Sequence, residues 1–131
     1  MIFVDTGAWY AAFVPKDKDY RAARAWFKAN RAPLVTTDYV VDELLTLLKA
    51  NDEFKRALKL GRSLFGQRLA RFLRVTDEDL KQAWEVFQKF QDKEWSFTDC
   101  VSKVVMERLG IKKAFAFDHH FRLFGFVAVV P

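Results

Sequence analysis

The sequence contains a single cysteine, Cys100, so it cannot form an internal disulfide, and a lone thiol fits a reducing compartment. No apolar run approaches the ~18–20 residues that a membrane-spanning helix needs. Met1 leads directly into apolar residues without a basic segment, so we expect no signal peptide. There is no internal repeat, low-complexity tract or linker. These absences predict a cytoplasmic protein with one domain over residues 1–131.

Apolar and charged residues are both abundant. Hydrophobic residues make up 51% of the chain and charged residues 30%, which is a globular composition and not a disordered one. The 14 phenylalanines predict a tightly packed core with some apolar surface left for a partner. A net charge of +5 would attract polyanions such as nucleic acids, although many small proteins are basic without binding them. The Lys and Arg of Asp52–Arg74 predict a solvated face, with nucleic-acid binding as the alternative.

Short apolar runs alternate with segments of helical spacing along the whole chain. We expect strands at residues 2–4, 34–36, 72–75, 114–117 and 126–130. We expect helices at residues 8–14, from Asp19 to about residue 29, from an Asp38 cap through Lys49, over about 52–69, after a capping box at Thr76, and from Ser96 to Gly110. Strands that alternate with helices predict an α/β fold whose central parallel sheet is covered on both faces.

Four acidic residues interrupt or adjoin these apolar runs: Asp5, Glu43, Asp99 and Asp118. A carboxylate in apolar surroundings is costly unless it is paired, hydrogen-bonded or bound to a metal. Asp5 and Asp118 follow strands, Asp99 lies in the first turn of a helix and Glu43 in the second turn of another. If these helices start at the same edge of the sheet, all four can meet at the ligand-binding edge. Such a cluster predicts a site for Mg²⁺ or Mn²⁺, which prefer hard oxygen ligands, and with the basic body it favours a metal-dependent nuclease.

Each acidic residue also has a purely structural interpretation. Asp5 could cap a helix, and Asp99 could be only the third residue of a capping box. Glu43 could lie on the solvated edge of an amphipathic helix, and Asp118 could be a turn residue. Each signal is weak alone, and it is their joint placement that favours a common site.

Five further polar side chains surround these positions in the sequence. Thr6 and Ser96 predict helix caps that could also support the carboxylates or the hydration shell of the metal. His119 and His120 are expected to be surface or stacking residues, because two histidines and one cysteine do not make a zinc site. We expect Cys100 to be a small buried apolar residue and not a nucleophile, since no base is placed beside it.

The chain resembles the PIN-domain ribonucleases, and in particular the VapC-like toxins of toxin–antitoxin pairs. The resemblance covers nearly the whole chain and rests on four segments in order: VDTGAWYA, VVDELLTLL, SFTDCVSKVVMERLG and AFAFDHHFRLFGF. It implies a three-layer α/β/α sandwich and a catalytic, metal-binding set of Asp5, Glu43, Asp99 and Asp118. It also implies hydrolysis of RNA phosphodiester bonds with Mg²⁺ or Mn²⁺, a homodimer, and a cognate antitoxin that covers the site. The family often has Ser where this chain has Gly7, and it varies at the position after Asp99.

Other classes fit the residues less well. A haloacid-dehalogenase-type phosphatase needs a second Asp two residues after the first strand's Asp, where this chain has Gly7. A receiver domain needs an acidic partner beside Asp5 and a Lys after a late strand, where the chain has Asp118 and two histidines. A PIN-like module that binds RNA or a partner without turnover stays open, as does an RNA-processing nuclease that is not a toxin. Apolar residues over Asp38–Leu69 exceed one buried face, which is compatible with a core helix covered by its neighbour or with a homodimer, and the resemblance favours the homodimer.

Overall fold

A five-stranded parallel sheet forms the centre of the computed structural model, which describes all residues 1–131. Its strands are β1 (Ile2–Val4), β2 (Leu34–Thr37), β3 (Arg71–Leu73), β4 (Lys113–Phe115) and β5 (Ala128–Val130). They lie in the order β3-β2-β1-β4-β5, and every neighbouring pair is parallel. Phe3 of β1 pairs with Val35 of β2 on one side and with Ala114 of β4 on the other. The first strand is therefore the central one.

Helices flank this sheet in a three-layer α/β/α sandwich, as the sequence predicts. They are α1 (Thr6–Phe13), α2 (Tyr20–Ala29), α3 (Asp38–Ala50), α4 (Phe54–Phe65), α5 (Asp77–Lys89) and α6 (Phe97–Leu109), and a 3₁₀ helix spans His119–Phe124. Within these layers α1 packs on α2 and α3, α3 packs on α4, and α5 packs on α6. None of the helices combines the length and apolar character needed to cross a membrane.

The core is built where the apolar strands meet the inner faces of the helices. Phe3, Val4 and Phe115 are completely buried in the two central strands, because a parallel sheet is covered on both faces. Trp9 of α1 is also completely buried, and its Nε1 atom donates a hydrogen bond to Thr36 Oγ1 at 3.3 Å. This bond ties the helix that follows β1 to the neighbouring strand.

Three helices have boundaries that differ from the prediction, and the first, α1, spans Thr6–Phe13 where residues 8–14 were expected. The N-cap of α3 is Thr37, whose side chain accepts a hydrogen bond from the Val40 N–H, and Asp38 is the first helical residue. Asp38 Oδ1 instead accepts bonds from the N–H groups of Tyr39 and Val75 and so fastens the segment after β3. Helix α4 is shorter than residues 52–69 because Asp52 before it and Gln67 after it have φ values of 58° and 56°, which a helix cannot accommodate.

Three strands are also shorter or shifted relative to the prediction. Strand β3 is Arg71–Leu73, one residue earlier at its start and two residues earlier at its end than predicted. Strand β4 ends at Phe115, although the apolar run continues to Phe117, and β5 begins only at Ala128. Apolar residues thus extend beyond the hydrogen-bonded ladder, since Phe117 and Phe126 pack against the core from outside it.

Candidate metal centre and active site

Asp5 stands at the end of β1 and at the N-cap position of α1, yet its side chain makes no capping hydrogen bond. Only 6% of the residue is exposed. None of the ion pairs in the structure involves Asp5, so no lysine or arginine balances its charge. The carboxylate of Asp5 therefore does not act as an ordinary helix cap.

Asp99 enters the same region from the first turn of α6. The helix begins with the predicted capping box: Ser96 Oγ accepts from the Asp99 N–H at 3.1 Å, and Asp99 Oδ2 accepts from the Ser96 N–H at 3.0 Å. Only 8% of Asp99 is exposed. The capping interpretation is thus correct, but it engages one carboxylate oxygen and leaves Oδ1 without a protein partner.

Glu43 and Asp118 are the two more accessible acidic residues. Glu43 is half-buried in the second turn of α3. Asp118 is exposed. The prediction that it directly follows a strand is wrong, because Ala116 and Phe117 separate it from β4. It caps the 3₁₀ helix instead, and its Oδ1 atom accepts a hydrogen bond from the His120 N–H at 3.0 Å.

The electrostatics of Asp5 show that the four acidic residues lie close together. Burial, together with the negative charges of Asp99, Glu43 and Asp118, raises the pKa of Asp5 to about 8, although the backbone N–H of Thr6 opposes the shift. The pKa of Asp99 is raised as well, first by burial and then by Asp118, against the stabilising contacts from Ser96 and His120. The fold therefore brings together the four residues that the sequence singles out.

The donor set fits a hard divalent cation. The carboxylates of Asp99, Glu43 and Asp118 are near enough to Asp5 to raise its pKa, and no lysine or arginine is near enough to lower it. The Thr6 hydroxyl beside them is buried and has no hydrogen-bond partner. A buried polar atom without a partner costs free energy, and so does a group of uncompensated carboxylates. A cation with oxygen ligands, such as Mg²⁺ or Mn²⁺, would relieve both costs.

His120 also lies in the acidic cluster, and this position was not predicted from the sequence. Its Nδ1 atom lies 3.0 Å from Asp99 Oδ2 and 3.3 Å from Asp118 Oδ1, and only 15% of its side chain is exposed. The expectation of a surface or stacking residue holds for His119, whose side chain is 69% exposed and whose ring packs edge-on against His120. His120 shares this ring contact, but its Nδ1 also contacts two of the carboxylates, which the prediction did not include. The available signal was its position two residues after Asp118, where a capping Asp holds the backbone N–H.

Three further residues lie near members of the acidic cluster. Burial and the charge of Asp99 raise the pKa of Cys100 to about 11, so its thiol is protonated and is not a nucleophile. Gly7 is exposed, and a Cβ atom there would lie 3.9 Å from Asp5 Oδ2, which leaves room for a small side chain such as serine. Glu94 approaches His119 and His120 on the surface, with potential ligand atoms within 4.8 Å of one another.

A parallel α/β/α sandwich with acidic side chains gathered beyond the ends of its strands is the arrangement of PIN-type nucleases. The profile of the PIN domain matches residues 2–127, and the chain belongs to this family.

Several described proteins and solved structures are similar to the chain over most or all of its length. The chain is 33% identical over 131 residues to the 23S rRNA-specific endonuclease VapC20 of Mycobacterium tuberculosis, covering 100% of this chain and 99% of that protein. The crystal structure of that toxin, described as cleaving the sarcin–ricin loop, superposes with a TM-score of 0.91 over 100% of both chains. A VapC ribonuclease of Archaeoglobus fulgidus is 29% identical over 127 residues, covering 92% of this chain and 78% of the relative. FitAcB of Neisseria gonorrhoeae, 18% identical, shares the fold with a TM-score of 0.71 over 100% of this chain and 97% of its own.

Proposed function

We propose that this protein is a metal-dependent endoribonuclease that hydrolyses RNA phosphodiester bonds. The observation that carries the proposal is the buried, unpaired carboxylate of Asp5, whose pKa is raised by burial and by three neighbouring acidic residues. Such an arrangement is unfavourable in the metal-free protein and is typical of a divalent-cation site. Membership of the PIN family and full-length similarity to an endonuclease support the same reaction.

The burial of the four acidic residues supports a division of roles. Asp5 and Asp99, the two deeply buried ones, would hold Mg²⁺ or Mn²⁺ directly, with the Thr6 hydroxyl and the Ser96 cap in support. Glu43 and Asp118 are more accessible and would complete the ligand shell of the cation on the substrate side, where one of them would also orient the water for in-line attack. When bound, the cation lowers the pKa of water and neutralises charge that develops on the phosphate oxygens.

We further propose that the protein acts in the cytoplasm as a single-domain toxin, held inactive by a cognate antitoxin that covers the acidic site. The support is its 33% identity over 100% of the chain to a VapC toxin of almost equal length. An RNA-processing nuclease of the same fold is the competing assignment. Expression in a bacterial host separates the two, because a toxin should arrest growth, and co-expression of a small protein encoded beside it should restore growth. Unimpaired growth with active protein would favour the processing enzyme.

A homodimer is the third part of the proposal. Among the apolar residues of α3 and α4, Leu44, Leu48 and Leu64 are completely buried in the core. Leu47, Phe54 and Phe65 are instead 38%, 52% and 57% exposed, so part of the predicted apolar excess does lie on the surface. Light scattering at micromolar concentration tests this part. A mass of twice 15.3 kDa would support it, and 15.3 kDa at all concentrations would overturn it.

The nuclease proposal is tested by incubating the purified protein with RNA. Cleavage should occur with Mg²⁺ or Mn²⁺, stop with EDTA and return when the cation is added in excess. An Asp99→Asn protein is the matched control, because the amide keeps an oxygen for the Ser96 cap while it removes the negative charge. Cleavage by that variant at the wild-type rate would indicate a contaminating nuclease. RNA binding without cleavage under every condition would instead identify a non-catalytic module.

A further inference from the structure

A cavity of about 360 Å³ opens between the end of α1, the start of α2 and the outer face of α4. Three cationic residues line it, Arg24, Arg56 and Lys59, and no acidic residue does. We call this cavity the basic pocket. It is separate from the acidic site, since none of the four acidic residues of that site lines it.

The two arginines of the basic pocket are held in place by the protein itself. Arg24 Nη1 donates to the carbonyl oxygen of Ala12 at 3.3 Å, and its guanidinium carbon lies 5.1 Å from the centre of the Phe13 ring. Arg56 Nε donates to Glu53 Oε2 at 2.7 Å and Nη1 donates to the carbonyl oxygen of Phe13 at 3.4 Å. A guanidinium has five N–H donors, so both arginines retain free donors for an anion. Such fixed donors lose little conformational entropy when they bind.

Apolar and aromatic groups form the rest of the basic pocket. Five of its ten lining residues are hydrophobic, and both Phe13 and the half-buried Tyr20 line it. Flat aromatic and guanidinium surfaces next to cationic donors are the means by which proteins bind the unstacked bases of RNA together with their phosphates. The shape and chemistry of the pocket therefore suit a nucleotide better than an isolated inorganic anion.

Helix α1 connects the basic pocket to the acidic site. A neighbouring concave surface is lined by two lysines and one aspartate, Lys16, Lys18 and Asp17, together with Gly7, Tyr10, Leu47 and Asn51. Gly7 is the position whose Cβ would lie 3.9 Å from Asp5 Oδ2. Along the same helix, Phe13 of the basic pocket lies about 9 Å from Gly7 at the usual rise per residue. A strand of RNA with its reacting phosphate at the acidic site could thus follow this surface into the pocket.

We propose that the basic pocket holds a nucleotide of the substrate RNA near the cleaved bond, with its phosphate bound by Arg24, Arg56 and Lys59. This inference rests on the proposed ribonuclease function. The pocket supplies the attraction that the acidic site lacks, because carboxylates repel a phosphodiester wherever no cation neutralises them. An acidic peptide is the competing occupant. It lacks bases to place against Phe13 and Tyr20, so the aromatic lining favours RNA.

The test compares two double variants that have the same net charge. Arg24→Gln/Lys59→Gln changes the basic pocket, and Arg31→Gln/Lys81→Gln removes one arginine and one lysine outside it. Arg31 is a close match for Arg24 because it too donates to backbone carbonyl oxygens. Affinity for a short fluorescein-labelled single-stranded RNA is measured by anisotropy in EDTA, over a range of salt concentrations, so that no cleavage interferes.

The pocket variant should bind the labelled RNA about tenfold or more weakly, and the slope of log K against log salt should fall by about 0.7 for each lost phosphate contact. In the cleavage assay KM should rise with little change in kcat. Lys59→Gln alone should shift affinity in the same direction, and it disturbs no contact because Lys59 forms no ion pair. Equal affinity and equal salt slopes for the two double variants would overturn the inference.

Loss of binding to a labelled poly-glutamate peptide with unchanged RNA affinity would also overturn it, in favour of an acidic peptide. The nuclease proposal has its own readout, which is cleavage by the wild-type protein in Mn²⁺. A wild-type protein that binds RNA through the pocket but never cleaves it would refute the nuclease function and leave the binding site in place.

Discussion

The Nδ1 atom of His120 lies 3.0 Å from Oδ2 of Asp99, the same oxygen that accepts the N–H of Ser96. One carboxylate oxygen therefore joins the start of α6 to the 3₁₀ helix after β4. The other oxygen of Asp99 has no protein partner and can serve as a ligand. Because both contacts fall on Oδ2, His120 restrains the orientation of the carboxylate without occupying the oxygen that a cation would need.

Replacing His120 should weaken the metal site without unfolding the protein. His120→Ala removes the contacts to Asp99 and Asp118, so the Mn²⁺ concentration for half-maximal cleavage should rise about tenfold or more, as is common when a partner of a metal ligand is lost. His120→Asn places a donor near the Nδ1 position and should restore most of the affinity. His119→Ala is the control, since its side chain is mostly exposed. An unchanged Mn²⁺ dependence in His120→Ala would contradict this positioning role.

Asp5→Asn should abolish cleavage and leave the metal-free protein at least as stable as the wild type. The substitution removes a buried charge that burial and three acidic neighbours disfavour, and Asp5 makes no capping hydrogen bond that could be lost. Thermal unfolding in EDTA measures the stability, and a second scan in Mn²⁺ should raise the melting temperature of the wild type more than that of the variant. If the variant unfolds in EDTA, Asp5 has a structural role that its geometry does not show.

The stability of the metal-free protein should fall as pH rises. Asp5 has an ordinary pKa of 3.8 in the unfolded chain and a pKa of about 8 in the fold, so folding takes up a proton between these values. The stabilisation from this proton is fully present below the unfolded pKa and is lost as pH rises through the folded one.

Urea denaturation in EDTA at a series of pH values, for the wild type and Asp5→Asn, isolates the contribution of Asp5. The wild type should lose stability relative to the variant as pH increases across this range. Mn²⁺ should oppose the loss, because the cation binds the ionised carboxylates. Parallel pH profiles for the two proteins in EDTA would show that the pKa of Asp5 is not raised in the fold.

Features that depend only on residues close together in the sequence could be predicted. The capping boxes at Thr76 and Ser96 occur as expected, because their hydrogen bonds join residues three positions apart and need no distant partner. The helix that starts at Ser96 fixes where Asp99 points. The proximity of Asp99 and Glu43 to Asp5 was also predictable, since parallel strands with crossover helices place strand ends and helix starts at one edge of the sheet. Asp118 lies near Asp5 as well, but it does so as the cap of the 3₁₀ helix and not as the end of a strand.

Features that depend on contacts between residues far apart in the sequence could not be predicted. The apolar run Ala114–Phe117 gives no sign that the β4 ladder stops at Phe115, because Phe117 packs against the core without pairing with a strand. The short 3₁₀ helix that follows has no hydrophobic periodicity to reveal it, so the contact between His120 and Asp99 could not be inferred. The basic pocket is assembled from three helices, and the sequence pattern shows only a basic, amphipathic α4.

The most direct test of whether the acidic cluster holds the catalytic metal is the cleavage rate as a function of Mn²⁺ concentration. It is measured for the wild type, for Glu43→Gln and for the control variant Asp42→Asn. The two residues are neighbours on α3, but Glu43 contributes to the potential at Asp5 and Asp42 is exposed. Wild type and Asp42→Asn should show no cleavage in EDTA and the same saturable dependence on Mn²⁺. Glu43→Gln should need about tenfold more Mn²⁺ or fail to cleave, since it lacks one acidic ligand. Cleavage that persists in EDTA, or identical Mn²⁺ curves for all three proteins, would contradict the account.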